Sequence, residues 1–161
     1  MINIKKLHHN AYRCIDSEAT REFYEDFLNL KLVKAFELSS TLTGRKIKAL
    51  HTFYSLRDKS CLAFFEILNN PLKYKKWHDF DLHIALEVSE KKLLEYFDKG
   101  KKIGVETRGI SNHGFIKSIY FRDPNGYIIE LTVPIKEKNK KNNNISNPYK
   151  VLKNWSLNKN V

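Results

Sequence analysis

Cysteine is nearly absent: Cys14 and Cys61 are the only two among 161 residues. Both sit in apolar, strand-like stretches and read as buried thiols, which excludes a disulfide-built scaffold. Long apolar runs are also missing, because charge interrupts every hydrophobic stretch. No transmembrane helix or signal segment is visible, so a soluble, cytoplasmic protein with no membrane partner is the expectation. Acidic residues are the minority charge, 18 against 29 Lys and Arg, for a formal net charge of +11. A basic balance raises nucleic-acid binding, but its distribution argues the other way. Residues 136–161 hold seven Lys and one Glu, +6 of the +11, amid many Asn. The remaining +5 is spread over the other 135 residues, with acidic neighbours throughout and no aromatic–basic interleaving. A solvated basic surface without a nucleic-acid partner is expected.

What is present is core material, 42% hydrophobic and 12% aromatic, enough to exclude wholesale disorder. The order of elements points to an α+β chain. A strand over 6–13 is followed by a helix over 18–28 that Asp16 or Ser17 caps, with Asn29 at a left-handed C-cap position. Strands over 31–38, 47–56 and 60–68 complete the set. The same order then recurs: a strand over 82–88, a helix over 91–99 stopped by Gly100, and strands over 105–108, 117–121 and 127–133. This is a βαβββ repeat, with modules at about 6–68 and 80–134 inside one domain over 1–134. Residues 135–161 form a basic tail outside the repeat, low in complexity at first. Tyr149, Leu152 and Trp155 further on predict helical turns that pack on the body.

The stretch I-K-S-I-Y-F-R-D-P-N-G-Y-I-I-E-L-T-V (116–133) is the most informative. Asp123-Pro124-Asn125-Gly126 supplies a tight turn between two strands. Beyond it, Tyr127, Ile129, Leu131 and Val133 share one face, and Glu130 lies on the other. An unpaired carboxylate in an apolar strand is costly to bury, so Glu130 needs solvent, a cation or a water-filled cavity. Overlaying the repeats puts one His near the start of each, His9 in H-N-A and His83 in H-I-A. One Glu lies near each end, Glu66 in F-F-E-I and Glu130 in I-I-E-L. Imidazole plus carboxylate is a ligand set for a divalent first-row metal.

These segments resemble the vicinal oxygen chelate superfamily, which includes glyoxalase I, extradiol ring-cleaving dioxygenases and antibiotic-resistance proteins. The resemblance spans residues 6–134. It rests on H-H-N-A-Y-R, F-Y-E-D-F-L-N-L-K-L-V, D-L-H-I-A-L-E-V and, most specifically, I-Y-F-R-D-P-N-G-Y-I-I-E-L. It implies two βαβββ modules forming a half-open barrel around a divalent metal, with Ni, Zn, Fe(II), Mn and Co all open. A small substrate would chelate that metal through adjacent oxygens. It also implies a homodimer, with modules paired within a chain or swapped between chains. The glyoxalase I branch, a lyase, is the favoured expectation. It is similar at four ligand positions, His9, Glu66, His83 and Glu130, with Glu66 or Glu130 moving the proton and Arg13 and Asn70 binding a substrate carboxylate. The dioxygenase branch resembles N-H-G-F-I-K-S-I-Y-F-R-D-P-N-G, with His113 and Tyr120 as catalytic residues and His9, His83 and Glu130 as ligands. That branch also uses an acid/base His around 61–65, where this chain has none. A metal-free small-molecule binder is the remaining alternative.

Overall fold

Alternating side chains sort each strand into two faces. The computed structural model, which describes residues 3–135 and 147–158, shows what each face meets. The first module runs β1 (His9–Cys14), α1 (Ser17–Arg21), β2 (Lys31–Ser40), β3 (Lys46–Ser55) and β4 (Cys61–Ile67). The second runs β5 (His83–Glu87), α2 (Glu90–Lys102), β6 (Thr107–Asn112), β7 (Ile116–Arg122) and β8 (Ile128–Pro134). The sheets are ordered β1-β4-β3-β2 and β5-β8-β7-β6. In each, the first strand runs parallel to the last and the other pairs are antiparallel. The βαβββ repeat is therefore present twice, as two separate sheets that do not close.

Local chemistry explains the helices. The Asp16 carboxylate accepts from the Ala19 amide at 2.7 Å, capping α1. After Arg21 the helix widens into a π-helical segment, Glu22–Phe27, and ends at Asn29 with φ +58°. The second helix departs from expectation. Gly100 does not stop it but lies inside α2 and is buried. A Cβ there would stand 2.5 Å from Thr107 Oγ1 and 2.6 Å from Phe121 Cε1, so this glycine lets the helix approach β6 and β7 closely. The turn is made four residues later by Gly104, at φ +78°.

One apolar core joins the modules. Phe23, Tyr24, Phe27, Tyr54 and Phe64 from the first meet Ile119, Phe121, Tyr127, Ile129 and Leu131 from the second. Phe27 meets Phe121 edge-on at 5.1 Å, and Tyr12 packs on Tyr127 at 5.5 Å. The Cys14 thiol is buried in this core, which pushes its pKa up to about 11. Cys14 and Cys61 are both free.

The D-P-N-G turn is a staple rather than a surface loop. Asp123 Oδ1 accepts from the amides of Asn125 (2.9 Å) and Tyr127 (2.8 Å). Its Oδ2 accepts from Tyr24 Oη at 2.9 Å and Asn125 Nδ2 at 3.0 Å. Asn125 Oδ1 accepts from the Ile15 amide at 2.8 Å, and Tyr127 Oη donates to the Arg13 carbonyl at 2.9 Å. Polar groups of the second module thus satisfy backbone donors and acceptors of the first inside the core. Burial pushes the Asp123 carboxyl up from its usual range, and these hydrogen bonds oppose the rise.

With the apolar faces turned inward, the opposite faces of both sheets stay open. They carry His9, Arg13, His83, Tyr120 and Glu130. The tail expectation is corrected in one respect. A helix, α3 (Pro148–Leu157), does form, capped by Asn147, but Tyr149, Leu152 and Trp155 are 81, 62 and 66% exposed. Its apolar stripe does not pack on the body. Residues 136–146 of the low-complexity segment lie outside the described residues.

Candidate active site

Register decides which candidates can meet. His83 is opposite Ile128, and Ala85 is opposite Glu130, so His83 and Glu130 share the open face of the second sheet, one step apart. Their side chains approach at 3.3 Å, His83 Nε2 to Glu130 Oε2. Tyr120 is opposite Glu130 on β7, and Arg108 is opposite Tyr120 on β6. The Tyr120 hydroxyl lies 3.4 Å from Glu130 Oε1 and 2.8 Å from His113 Nε2. His113, Tyr120, Glu130 and His83 thus form a continuous polar chain. It lines a cleft of about 400 Å³ walled by Phe80 and Phe115.

Glu130 is 5% exposed. Burial, then the Glu130 charge, raises the Tyr120 hydroxyl above its ordinary pKa, so it stays protonated at neutral pH. It has one hydrogen to give. When His113 Nε2–H donates to the Tyr120 oxygen, Tyr120 can donate to Glu130; an Nε2 without hydrogen accepts from Tyr120 instead.

His83 Nδ1 lies 2.7 Å from the Asp79 carbonyl. A carbonyl only accepts, so Nδ1 carries the hydrogen and a neutral imidazole turns its Nε2 lone pair toward Glu130. Two acceptors at this separation require a shared cation or proton. This donor set fits a divalent metal.

The other candidates stand elsewhere. On the first sheet His9 is opposite Cys61 and Ala11 is opposite Ala63. The position matching Glu130 is therefore Ala63, not Glu66. Glu66 is opposite Cys14, an odd number of residues further on, which turns it to the helix-facing side. There its Oε2 accepts from the Ser17 amide at 2.8 Å, at the start of α1. The four-ligand expectation is corrected on this point: within the chain Glu66 does not join His83 and Glu130. His9 does not join them either. It lies on the open face of the first sheet, edge-on to Phe53 at 5.5 Å. Among the described residues, no three of His, Cys, Asp and Glu gather as a metal site.

Arg13 shares His9's face, and its guanidinium donates to the Asn70 backbone carbonyl, with Nε left unpartnered. The two are neighbours through the Asn70 main chain, not its side chain. Arg13 also lines a separate cleft of about 470 Å³ walled by Leu38, Phe65 and Ile67.

Three residues escaped the sequence reading. His51 is 5% exposed, opposite Phe65 and stacked on it at 3.6 Å. Its Nδ1 lies 2.9 Å from the Phe64 carbonyl, which leaves Nε2 as the lone-pair nitrogen, and burial lowers its pKa. Strand alternation puts it on His9's face, but no motif marks it. Asp79 and Arg108 sit in a loop and a glycine-interrupted strand, where pattern reading has little hold.

A model for the Glyoxalase/Bleomycin resistance protein/Dioxygenase superfamily matches residues 6–131. The chain belongs to this superfamily. Its fold is shared by a glyoxylase/bleomycin resistance protein/dioxygenase domain from a Frankia species, with TM-score 0.66 at 13% identity, covering 83% of this chain and 100% of that one. The fosfomycin resistance protein FosX from Listeria monocytogenes, in a monoclinic form at pH 6.5, superposes with TM-score 0.61 at 20% identity, covering 85% and 98%. An antibiotic-binding protein from a Streptomyces species gives 0.58 at 16%, covering 84% and 100%. Identities this low speak for fold alone. No curated protein matches the chain.

The placement of Glu66 carries a prediction. Glu66→Gln should leave divalent-metal affinity within about twofold of wild type. It should cost about 1 kcal/mol of stability through the weakened bond at the α1 N-terminus. Metal titration beside a urea melt checks both. A tenfold loss of affinity would return Glu66 to the ligand set.

Proposed function

We propose that this superfamily member is a divalent-metal-dependent enzyme whose site is shared between two copies of the chain. His83 and Glu130 come from one copy and His9 from the other. The observation that supports this is the pairing of His83 with a buried Glu130 beside a His113–Tyr120 relay. His9 stands on the open face of a different sheet, and a second copy laid against that face would bring it to the pair. A divalent metal held by these residues would supply Lewis acidity to a substrate chelating it through adjacent oxygens. Tyr120, protonated at neutral pH, donates to a substrate oxygen, and His113 takes up or returns the proton behind it. Glu130 keeps negative charge next to that hydroxyl, and Arg13 offers a cation to a substrate anion.

Of the superfamily chemistries, oxidative ring cleavage of a catechol-type diol now fits better than glyoxalase-type isomerisation. The isomerase reading needs a second carboxylate where Ala63 stands. The relay is the pair that the dioxygenase resemblance names. His51, neutral on the face that carries His9, is this chain's candidate for the acid/base histidine of that branch.

Metal analysis of protein purified without chelator, then anaerobic Fe(II) reconstitution, tests the reading. Oxygen uptake with a panel of catechols is the expected result, falling on the order of 10²–10⁴-fold in Tyr120→Phe. Thiolester formation from glutathione and methylglyoxal, or diol formation from fosfomycin, would replace it with the lyase or the resistance activity. Absence of any bound or bindable metal would leave the binding-protein alternative.

A further inference from the structure

We propose that Arg108 and Asp79 act as positioning residues that fix the tautomer and aim of His83. The inference rests on His83 being a ligand, as proposed above. One nitrogen of Arg108, Nη2, donates to both carboxylate oxygens of Asp79, at 2.7 and 2.8 Å. The backbone carbonyl of the same Asp79 lies 2.7 Å from His83 Nδ1. A side-chain clamp on one residue therefore sets where its main-chain acceptor stands. The acceptor in turn decides which imidazole nitrogen carries hydrogen and which faces Glu130. The intervening chain is short and wound tightly, with the amides of Asp81 and Leu82 bonded to the His78 carbonyl. Displacing Asp79 has little slack to absorb it before His83 turns.

Arg108 is itself held from the sheet. It is opposite Tyr120 in the β6–β7 register, and its guanidinium carbon stands 5.3 Å from that ring's centre. One cation thus meets the polar chain at two places: the loop behind His83 and the ring that carries the relay hydroxyl.

Magnitudes favour positioning over stability. The Arg108 and Asp79 side chains are 46 and 28% exposed. An ion pair this open contributes only about 0–1 kcal/mol to folding. Partners that orient a ligating histidine typically change metal affinity by about 10–100-fold. Removing the clamp should therefore spare the fold and damage the site.

The test uses full-length Arg108→Ala and Asp79→Asn, with Lys117→Ala as a control cation on the same sheet. Nitrogen-detected NMR of metal-free protein at about pH 8, where a free imidazole is neutral, reads the His83 tautomer. Mn(II) titration reads affinity. In wild type and Lys117→Ala, His83 should carry its hydrogen on Nδ1 alone. In the two clamp variants it should populate both tautomers. Mn(II) affinity should fall about 10–100-fold with thermal unfolding nearly unchanged, and Arg108→Lys should recover part of the loss. A single Nδ1–H tautomer in both clamp variants, with affinity within twofold of wild type, overturns the proposal. If wild type binds no Mn(II), the shared-site reading fails, and the tautomer measurement still decides the clamp. Collapse of thermal stability in both variants would mark the pair as structural and also overturn it.

Discussion

His83→Ala and Glu130→Gln are each expected to weaken divalent-metal binding on the order of 10³-fold, about 4 kcal/mol. His83 supplies the only imidazole lone pair aimed at Glu130 among the described contacts. Its loss leaves the buried carboxylate without a partner nitrogen. Glu130→Gln keeps shape and hydrogen-bonding reach but removes the charge that a divalent cation needs from its ligands. The amide would still accept from Tyr120, so the fold and the relay geometry should persist. Tyr120→Phe is the contrasting variant, keeping the metal and losing turnover. Titration of each variant with Mn(II) and Zn(II), beside circular dichroism, separates the outcomes. Retained affinity in both ligand variants would remove the pair from the metal site.

The second large effect concerns the D-P-N-G staple. Asp123→Ala should destabilise the chain by about 3–5 kcal/mol. Asp123 is 3% exposed and accepts from Tyr24 Oη, Asn125 Nδ2 and two amides. Truncation takes an acceptor from four buried donors, and only Asn125 Nδ2 keeps another, Thr20 Oγ1. Gly126→Ala should cost at least as much. Gly126 has φ +91°, and an added Cβ would collide with the Lys75 carbonyl. With total stabilities of about 5–15 kcal/mol, either change removes a large share. Because the staple ties Ile15, Thr20 and Tyr24 to the second module, both modules should melt together and earlier. A denaturant series on the metal-free variants checks this, and a midpoint unchanged from wild type would refute the stapling role.

Sequence alone carried the repeat, because each module announces itself through strand alternation, a capped helix and turn residues. It placed Glu130 correctly on the face opposite Ile129 and Leu131, since a period of two leaves no choice once the strand is known. It could not show which face Glu66 takes relative to His9, for a physical reason. F-F-E-I and I-I-E-L look alike as strings, but partner strands set register, and an odd offset in the ladder turns a side chain to the other face. The burial of Asp123 and Asn125 was equally hidden. Turn residues are usually solvated, and nothing near them in the chain reveals that Tyr24, 99 positions away, donates into the turn. His51, Asp79 and Arg108 acquire meaning only through neighbours such as Phe64 and Tyr120 that folding brings to them. The tail helix showed the opposite failure: an amphipathic pattern predicts that an apolar stripe will be covered, not by what.

The shared site is tested most directly by mixed dimers of two inactive chains. His9→Ala and Glu130→Ala are each expected to lose tight metal binding as homodimers. Co-purified through different tags, they should form heterodimers in which one site carries both substitutions and the other carries none. The account predicts one high-affinity Mn(II) per heterodimer, with wild-type affinity. Heterodimers that bind no more metal than either parent would contradict it, as would a His9→Ala homodimer that binds as tightly as wild type.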